Sequence, residues 1–168
     1  MSDTELLIDG FGRIQEIVHD VLDGLTEADA EGRIDGSANS INWLVWHLTR
    51  VQDDHIAGVS GLDQVWLSGW ADRCGLPLDP GDIGYGHSSD QVAVVRVPGA
   101  LLTAYHDATY EQTISFLTGL TDSDLNTIVD RRWDPPVTMA VRLVSVLADG
   151  LQHAGQAAFV RGILERRG

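Results

Sequence analysis

INWLVWHL, residues 41–48, is an apolar run at helical spacing that contains one histidine, His47. A second stretch, DGLQHAGQ over residues 149–156, places His153 on another helical stripe, with Asp149 one turn before it. An imidazole is costly to bury unless its nitrogen atoms find partners. Two buried histidines with a nearby acid therefore indicate one shared partner, which we interpret as a metal ion.

Helical periodicity extends outward from these stretches into four long segments. The first carries apolar residues every three to four positions, namely Leu7, Phe11, Ile14, Val18, Val21 and Leu25. We expect the second helix from about Asn39 to Gly58, the third from near Pro98 to Leu120, and the fourth from about Thr138 to Arg166. No run of alternating polarity is long enough to predict a strand. The pattern predicts an all-α fold, a four-helix bundle.

Residues 59–97 break the helical rhythm, because the part from Leu76 to His87 is rich in proline and glycine. Short helices are expected near Leu62 to Trp70 and after Ser88. A long irregular segment inside a compact domain is usually functional. We predict that this segment forms a cap across one end of the bundle, between the second and third helices.

The chain is strongly acidic, with 25 acidic and 11 basic residues and a formal net charge of -14 over 168 residues. A nucleic-acid binder needs a basic face, and anionic membranes attract basic segments, so we predict neither partner. The length favours one domain over residues 1–168. Every basic residue is arginine, which excludes lysine Schiff-base chemistry and indicates a high-GC bacterial genome.

The single cysteine, Cys74, excludes an internal disulfide, and no motif marks it as a catalytic thiol. No apolar run approaches the roughly 18 residues of a membrane span. The first residues also lack the basic region of a signal peptide, so we predict a cytoplasmic protein. An apolar face of the bundle could support a homodimer.

Asp149 and His153 lie four residues apart, which puts both side chains on one helix face. A carboxylate and an imidazole one turn apart can share a divalent metal, and His47 is the best candidate for a third ligand. Three protein ligands leave a position open for water or substrate, as in catalytic sites. The alternative is a hydrogen-bonded Asp149–His153 pair that binds no metal.

The remaining polar candidates receive smaller roles. Asp54, two turns after His47, is expected to orient the site from behind the ligands, and His55 to lie either behind the ligands or at the rim of the site. His87 could contribute from the irregular segment, while His106 is expected in a surface pair with its neighbouring acid. Trp66 and Trp70 could line a substrate pocket, although packing is the alternative.

The two opening stretches resemble motifs of a known superfamily. SINWLVWHL, residues 40–48, looks like the second-helix motif of the DinB-like (YfiT-type) superfamily, and HAGQ, residues 153–156, looks like its fourth-helix motif H-x-G-Q. The resemblance covers essentially the whole chain. It is nearest to the actinobacterial branch that includes mycothiol-dependent maleylpyruvate isomerase, and the lysine-free composition agrees with that origin.

The resemblance implies an up-up-down-down bundle with a divalent metal, zinc or nickel, at one end. His47 and His153 match the metal ligands of the second and last helices. One turn before the latter, many members have histidine and the maleylpyruvate isomerase type has glutamate. Here Asp149 keeps the carboxylate on an arm one methylene shorter. Members of the superfamily are thought to act as S-transferases that use mycothiol, bacillithiol or glutathione.

Three functions follow as alternatives. In the first, a metal-dependent thiol S-transferase or isomerase, a low-molecular-weight thiol such as mycothiol takes the open position and attacks an electrophile. In the second, a metal-dependent hydrolase, water takes that position. In the third, the protein is a non-enzymatic, stress-associated metal binder. Imidazole and carboxylate ligands suit zinc and nickel alike.

Overall fold

Four long helices form the framework of the computed structural model, which describes residues 2–167. In chain order the helices are α1 (Asp3–Leu22), α2 (Glu27–Glu31), α3 (Ile41–Ser60), α4 (Ala71–Cys74), α5 (Ser89–Ala93), α6 (Gly99–Thr118) and α7 (Met139–Arg167). Irregular helical turns at Trp66–Trp70 and Asp124–Asn126 precede α4 and follow α6. The all-α bundle predicted from the sequence is confirmed. Met1 and Gly168, the outer residues of the predicted domain, lie outside the described residues.

Side chains and a glycine set the helix ends. Ser2 begins α1 with a capping box, in which its hydroxyl accepts from the Glu5 amide and the Glu5 carboxylate accepts from the Ser2 amide. The Ser40 hydroxyl accepts from the Trp43 amide at 3.1 Å and so begins α3. Gly61 ends α3 with a left-handed φ of 74°, which glycine adopts without steric cost. These caps fix the helix that carries His47.

Each long helix packs against two others. α1 and α3 both contact α6 and α7, so α1 and α3 are diagonal to each other. Apolar side chains from all four fill the centre, including Phe11, Ile14, Leu44, Leu102 and Leu143. Within residues 2–167, none of the helices combines the length and apolar character that a membrane crossing requires.

Contacts along the helices give their directions. α1 and α7 run in parallel, as successive close approaches show: Gly10 with Leu147, and Ile14 with Gly150. α3 and α6 are also parallel, as successive hydrogen bonds show: Thr49 with His106, and Gln52 with Thr113. α3 opposes α7, because His47 meets His153 while His55 shares a pocket with Ser145. The directions are therefore up, down, down, up, which corrects the up-up-down-down order.

Because α3 and α6 are parallel, the chain between them must run back along the length of the bundle. Residues 61–98, here called the strap, run lengthwise beside α3, whose 20 residues span about 30 Å. The strap begins beyond the end of α3 and finishes at Val97, which exchanges two hydrogen bonds with the side chain of Asn42 near the start of α3. The prediction of a cap across one end is wrong for this reason. The strap instead covers one side of α3.

A buried charged cluster, here called the anchor, fastens the strap to α3. It consists of Arg50, Asp53 and Tyr105, each at most 1% exposed. The Asp53 carboxylate accepts from the amides of Val65 and Trp66, at 2.8 and 2.7 Å, and from the Tyr105 hydroxyl at 2.8 Å. Arg50 donates to the side chain of Gln64 and to the backbone carbonyls of Pro80 and Asp82 in the strap. Burial raises the pKa of Asp53, and these hydrogen bonds oppose that rise.

A small hairpin joins α6 to α7. It pairs β1 (Ile128–Asp130) with β2 (Val137–Thr138) in antiparallel fashion. No strand was predicted here, because strands of three and two residues are too short to show alternation. The Asp130 carboxylate lies under the hairpin and accepts hydrogen bonds from Arg132 and Arg142. The hairpin is thereby tied to the first turn of α7.

Candidate metal centre

α3 and α7 bring His47, Asp149 and His153 together, here called the ligand trio. One ligand atom from each residue lies within 4.8 Å of the other two. The two imidazole rings are 4.7 Å apart between centroids and inclined at 77°. His47 is 2% exposed, while Asp149 and His153 are half-buried. The grouping arises because α3 and α7 are antiparallel neighbours whose facing stripes carry these residues.

Backbone carbonyls fix the tautomer of both histidines. His47 Nδ1 lies 2.5 Å from the carbonyl oxygen of Ile83, and His153 Nδ1 lies 2.9 Å from that of Asp149. A carbonyl oxygen only accepts, so each Nδ1 carries the proton and each Nε2 keeps its lone pair. A histidine that binds a metal through one ring nitrogen usually donates a hydrogen bond from the other, and both histidines show that arrangement. Both imidazoles are therefore arranged to ligate through Nε2.

Asp149 offers the third candidate ligand atom. Its Oδ2 is buried and has no hydrogen-bond partner among the described residues. His153 Nδ1 lies 3.4 Å away, but the Nδ1 proton is directed to the carbonyl of Asp149. A buried acceptor without a partner is costly, and a cation would remove that cost. The orphaned oxygen and the two Nε2 lone pairs fit a divalent metal.

The protonation of the trio also suits a ligand set. Burial lowers the pKa of His47 most, with the neighbouring His153 lowering it further, although the Ile83 hydrogen bond raises it. Burial also lowers the pKa of His153, but the Asp149 carboxylate 3.4 Å from Nδ1 and the hydrogen bond to the Asp149 carbonyl outweigh it, so the net shift is upward. Neutral imidazole is the ligating form. Metal binding to this trio would therefore compete with protons chiefly at His153.

Aromatic rings enclose His47. Trp43 stacks on it with centroids 4.5 Å apart and planes inclined at 15°, and Tyr85 meets it edge-on at 5.3 Å. The Trp43 Nε1 proton goes to His87 Nδ1 at 3.0 Å, and His87 Nε2 donates to Asp82 at 2.9 Å. His87 is therefore outside the trio and instead holds the strap against Trp43.

Gly84 allows the strap to approach this closely. A Cβ atom at this position would lie 2.6 Å from Nδ1 of His47 and 3.1 Å from the ring of Trp46, and its φ is 95°. Only glycine meets both conditions without strain. Sequence reasoning missed Gly84 and the Ile83 carbonyl, because a backbone acceptor leaves no residue-type pattern. The dense glycines of residues 81–86 were the available clue.

Two predicted positions differ from the structure. Asp54 does not orient His47, because two helical turns separate them by about 10 Å. Its carboxylate instead accepts from Gln64 at 2.8 Å. His106 is not in a surface pair but completely buried, and its Nδ1 contacts Thr49 at 3.0 Å. Burial lowers the pKa of His106 to about 4.

Three strap residues lie away from the trio. The rings of Trp66 and Trp70 lie 5.0 and 5.7 Å from that of Tyr105, which supports the packing alternative. Burial raises the pKa of the Cys74 thiol to about 11, so this thiol is not a reactive thiolate at neutral pH.

A groove gives access to the trio from the side of α7. A pocket of about 240 Å³ lies against Asp149 and is lined also by His55, Tyr85, Ser145 and Gln152. The predicted rim position of His55 is confirmed. The trio therefore has an enclosed side, formed by Trp43 and the strap, and an open side at this groove.

The fold and the trio define a class, helical bundles in which neighbouring helices offer two histidines and one carboxylate beside an open groove. A family model described as mycothiol-S-transferase matches residues 10–166, and the chain belongs to that family. A solved structure described as a conserved protein from Enterococcus faecalis is 32% identical with a TM-score of 0.89, and the match covers 96% of each chain. No curated protein matches the chain.

Proposed function

We propose that the protein is a metal-dependent thiol S-transferase that uses a low-molecular-weight thiol such as mycothiol. The observation that carries the proposal is the ligand trio, with two preset Nε2 lone pairs and a buried Asp149 oxygen that has no hydrogen-bond partner within residues 2–167. Membership of the mycothiol-S-transferase family supports the thiol as cosubstrate. The metal would be zinc or nickel.

In this proposal, His47, Asp149 and His153 hold the metal. A divalent cation held there would lower the pKa of a coordinated thiol, so that a nucleophilic thiolate is present at neutral pH. The Ile83 carbonyl keeps His47 in its ligating tautomer. Trp43, stacked on His47, shields that side from water, and the groove beside Asp149 admits the thiol and the electrophile.

Metal analysis tests the ligand assignment. We expect about one zinc or nickel ion per chain in the wild type and little in His153→Ala. His19→Ala is the matched control, because His19 is an exposed histidine on α1 that pairs with Asp107. Retention of metal in His153→Ala would contradict the assignment. Full loss in both variants would point to a folding defect, which circular dichroism would reveal.

Cobalt substitution separates thiol transfer from hydrolysis. A thiolate ligand on cobalt gives a charge-transfer absorption band, whereas water does not. We expect this band when mycothiol is added to the cobalt protein, together with consumption of thiol and a model electrophile. Hydrolysis without the band would favour the hydrolase alternative. Metal binding with neither activity would favour the non-enzymatic alternative.

A further inference from the structure

The groove beside Asp149 continues toward the hairpin. His55 and Ser145 line both the pocket at Asp149 and a neighbouring pocket of about 310 Å³. That neighbour shares Arg132 and Arg142 with a third pocket of about 290 Å³. The three pockets form one depression along α7, with the trio at one end and arginines at the other. Asp149 and Arg142 are about 10 Å apart along the helix.

Asp130 holds the arginine end in a defined shape. Its nearly buried carboxylate accepts from Arg132 Nε and Nη2, at 3.0 and 2.8 Å, and from Arg142 Nη2 at 3.1 Å. A guanidinium group has five N–H donors. Arg142, whose side chain is 22% exposed, thus keeps donors for a ligand. Arg131 lines the same end and has no ion pair among the described residues.

Charge sets this end apart from the rest of the molecule. The chain has 11 basic residues and a net charge of -14, yet three of its arginines line one end of one groove. Asp130 offsets one of the three positive charges and Asp54, which lines the same pocket and accepts from Gln64, offsets a second, so one positive charge is left. An anion approaching the protein therefore meets a local excess of donors beside the trio. Arginine forks match carboxylate geometry.

We propose that the arginine end of the groove, formed by Arg131, Arg132 and Arg142, binds a carboxylate group of a reactant whose reacting atom lies at the ligand trio. This inference rests on the proposed function and adds a substrate class to it, a small carboxylate-bearing electrophile. A single aromatic ring, together with the thiol sulfur, spans the separation between the two ends. A thiol that itself bears a carboxylate, as glutathione does, is the other source of the same chemistry.

Binding in the absence of thiol tests the subsite independently of catalysis. The probes are 4-chloro-3-nitrobenzoate and 4-chloro-3-nitrobenzamide, which have the same ring but differ in charge. Calorimetry should show the benzoate binding to the metal-loaded protein at least tenfold more tightly than the amide. Arg142→Gln should remove this preference, whereas Arg13→Gln, an equal charge change on α1, should keep it. Equal affinities for the two probes in the wild type would overturn the proposal.

Folding of the variants needs its own control, because Arg142 also bonds Asp130. Arg131→Gln removes a charge from the groove without breaking a described ion pair, and we expect a smaller loss of benzoate preference, about threefold. Arg142→Lys keeps the positive charge but loses the paired N–H donors of the guanidinium group. We expect it to retain part of the preference for the benzoate that Arg142→Gln loses. An unchanged preference in the folded Arg131→Gln and Arg142→Gln proteins would contradict the assignment to these arginines.

Turnover then identifies which reactant carries the carboxylate. In the reaction the thiolate sulfur forms a bond to the ring carbon bearing chlorine, the carbon–chlorine bond breaks, and chloride leaves. A higher kcat/KM for the benzoate than for the benzamide would show that the electrophile carries the recognised carboxylate. If kcat/KM differs only between N-acetylcysteine and N-acetylcysteinamide, the thiol carries it. Carboxylate-dependent binding without any turnover would keep the subsite and reject the proposed function.

Discussion

Two polar clusters contact α3 and differ in one respect. In the anchor, the Asp53 carboxylate accepts three short hydrogen bonds, and Arg50 and Tyr105 are also paired. In the ligand trio, whose acid lies on α7, the buried Oδ2 of Asp149 has no hydrogen-bond partner among the described residues, and one candidate ligand atom from each residue lies within 4.8 Å of the other two. A fully satisfied buried cluster stabilises a fold, whereas a partly satisfied one is costly unless a ligand completes it. The comparison therefore separates a saturated cluster from one that a bound cation would complete.

Breaking the anchor should have the largest effect. Asp53→Ala leaves the Arg50 guanidinium buried without its carboxylate and removes the acceptor of two strap amides. We expect a loss of about 3–5 kcal/mol in the free energy of unfolding, measured by denaturant titration. Asp54→Ala, on the adjacent and more exposed position, is the control and should cost less than about 1 kcal/mol. Equal losses would contradict the role of the anchor.

His106 extends the comparison to a fully buried histidine outside both clusters. Its pKa is lowered from 6.5 to about 4 by complete burial, so the folded state resists protonation. The unfolded chain binds the proton first as the pH falls. The stability contributed by the neutral ring is therefore complete above pH 6.5 and lost between pH 6.5 and 4, by about 3 kcal/mol.

The measurement for His106 is the pH dependence of urea unfolding in the metal-free protein. His106→Gln should flatten the profile between pH 6.5 and 4 relative to the wild type. His19→Gln, on the exposed face, should leave the steepness unchanged. A wild-type profile that is flat over this interval would contradict the assignment.

At the ligand trio, unlike the anchor, we expect the free energy of unfolding to depend on bound metal and not on the Asp149 carboxylate alone. With metal at a hundredfold excess over its Kd, the wild type should gain about 2.7 kcal/mol in stability. If Asp149→Asn weakens affinity about a hundredfold, the same metal concentration adds only about 0.4 kcal/mol. Without metal, Asp149→Asn should be no less stable than the wild type, because the orphaned charge is gone. A large loss of metal-free stability would make Asp149 a structural residue.

Substituting Gly84 should have the smallest effect of these changes, and it tests a single contact, that of the strap with His47. Gly84→Ala displaces the strap from His47 Nδ1 and so releases the tautomer set by the Ile83 carbonyl. We expect metal affinity to fall about tenfold, as for other changes behind a ligand. Gly86→Ala, at a φ of 72° with open space around it, controls for backbone strain alone. Similar losses in both variants would attribute the effect to strain and not to His47.

The sequence was sufficient for what depends on local pattern. The 3–4 residue spacing located the long helices, and the facing stripes predicted that His47, Asp149 and His153 would meet. Whether this trio binds metal stays a prediction, as do the homodimer and the absence of nucleic-acid partners. The direction of the helices and the course of the strap were not accessible, because they depend on contacts between distant segments. The buried anchor of Arg50 and Asp53 was not predicted for the same reason.

The trio draws its ligands from α3 and α7, which more than half the chain separates in sequence. An unfolded or partly folded chain therefore lacks the site, since closing so long a loop without the bundle is entropically costly. If the trio binds metal as proposed, metal occupancy would report completed folding. In a cell with buffered metal, the same ion would protect finished molecules from unfolding while leaving misfolded ones unprotected.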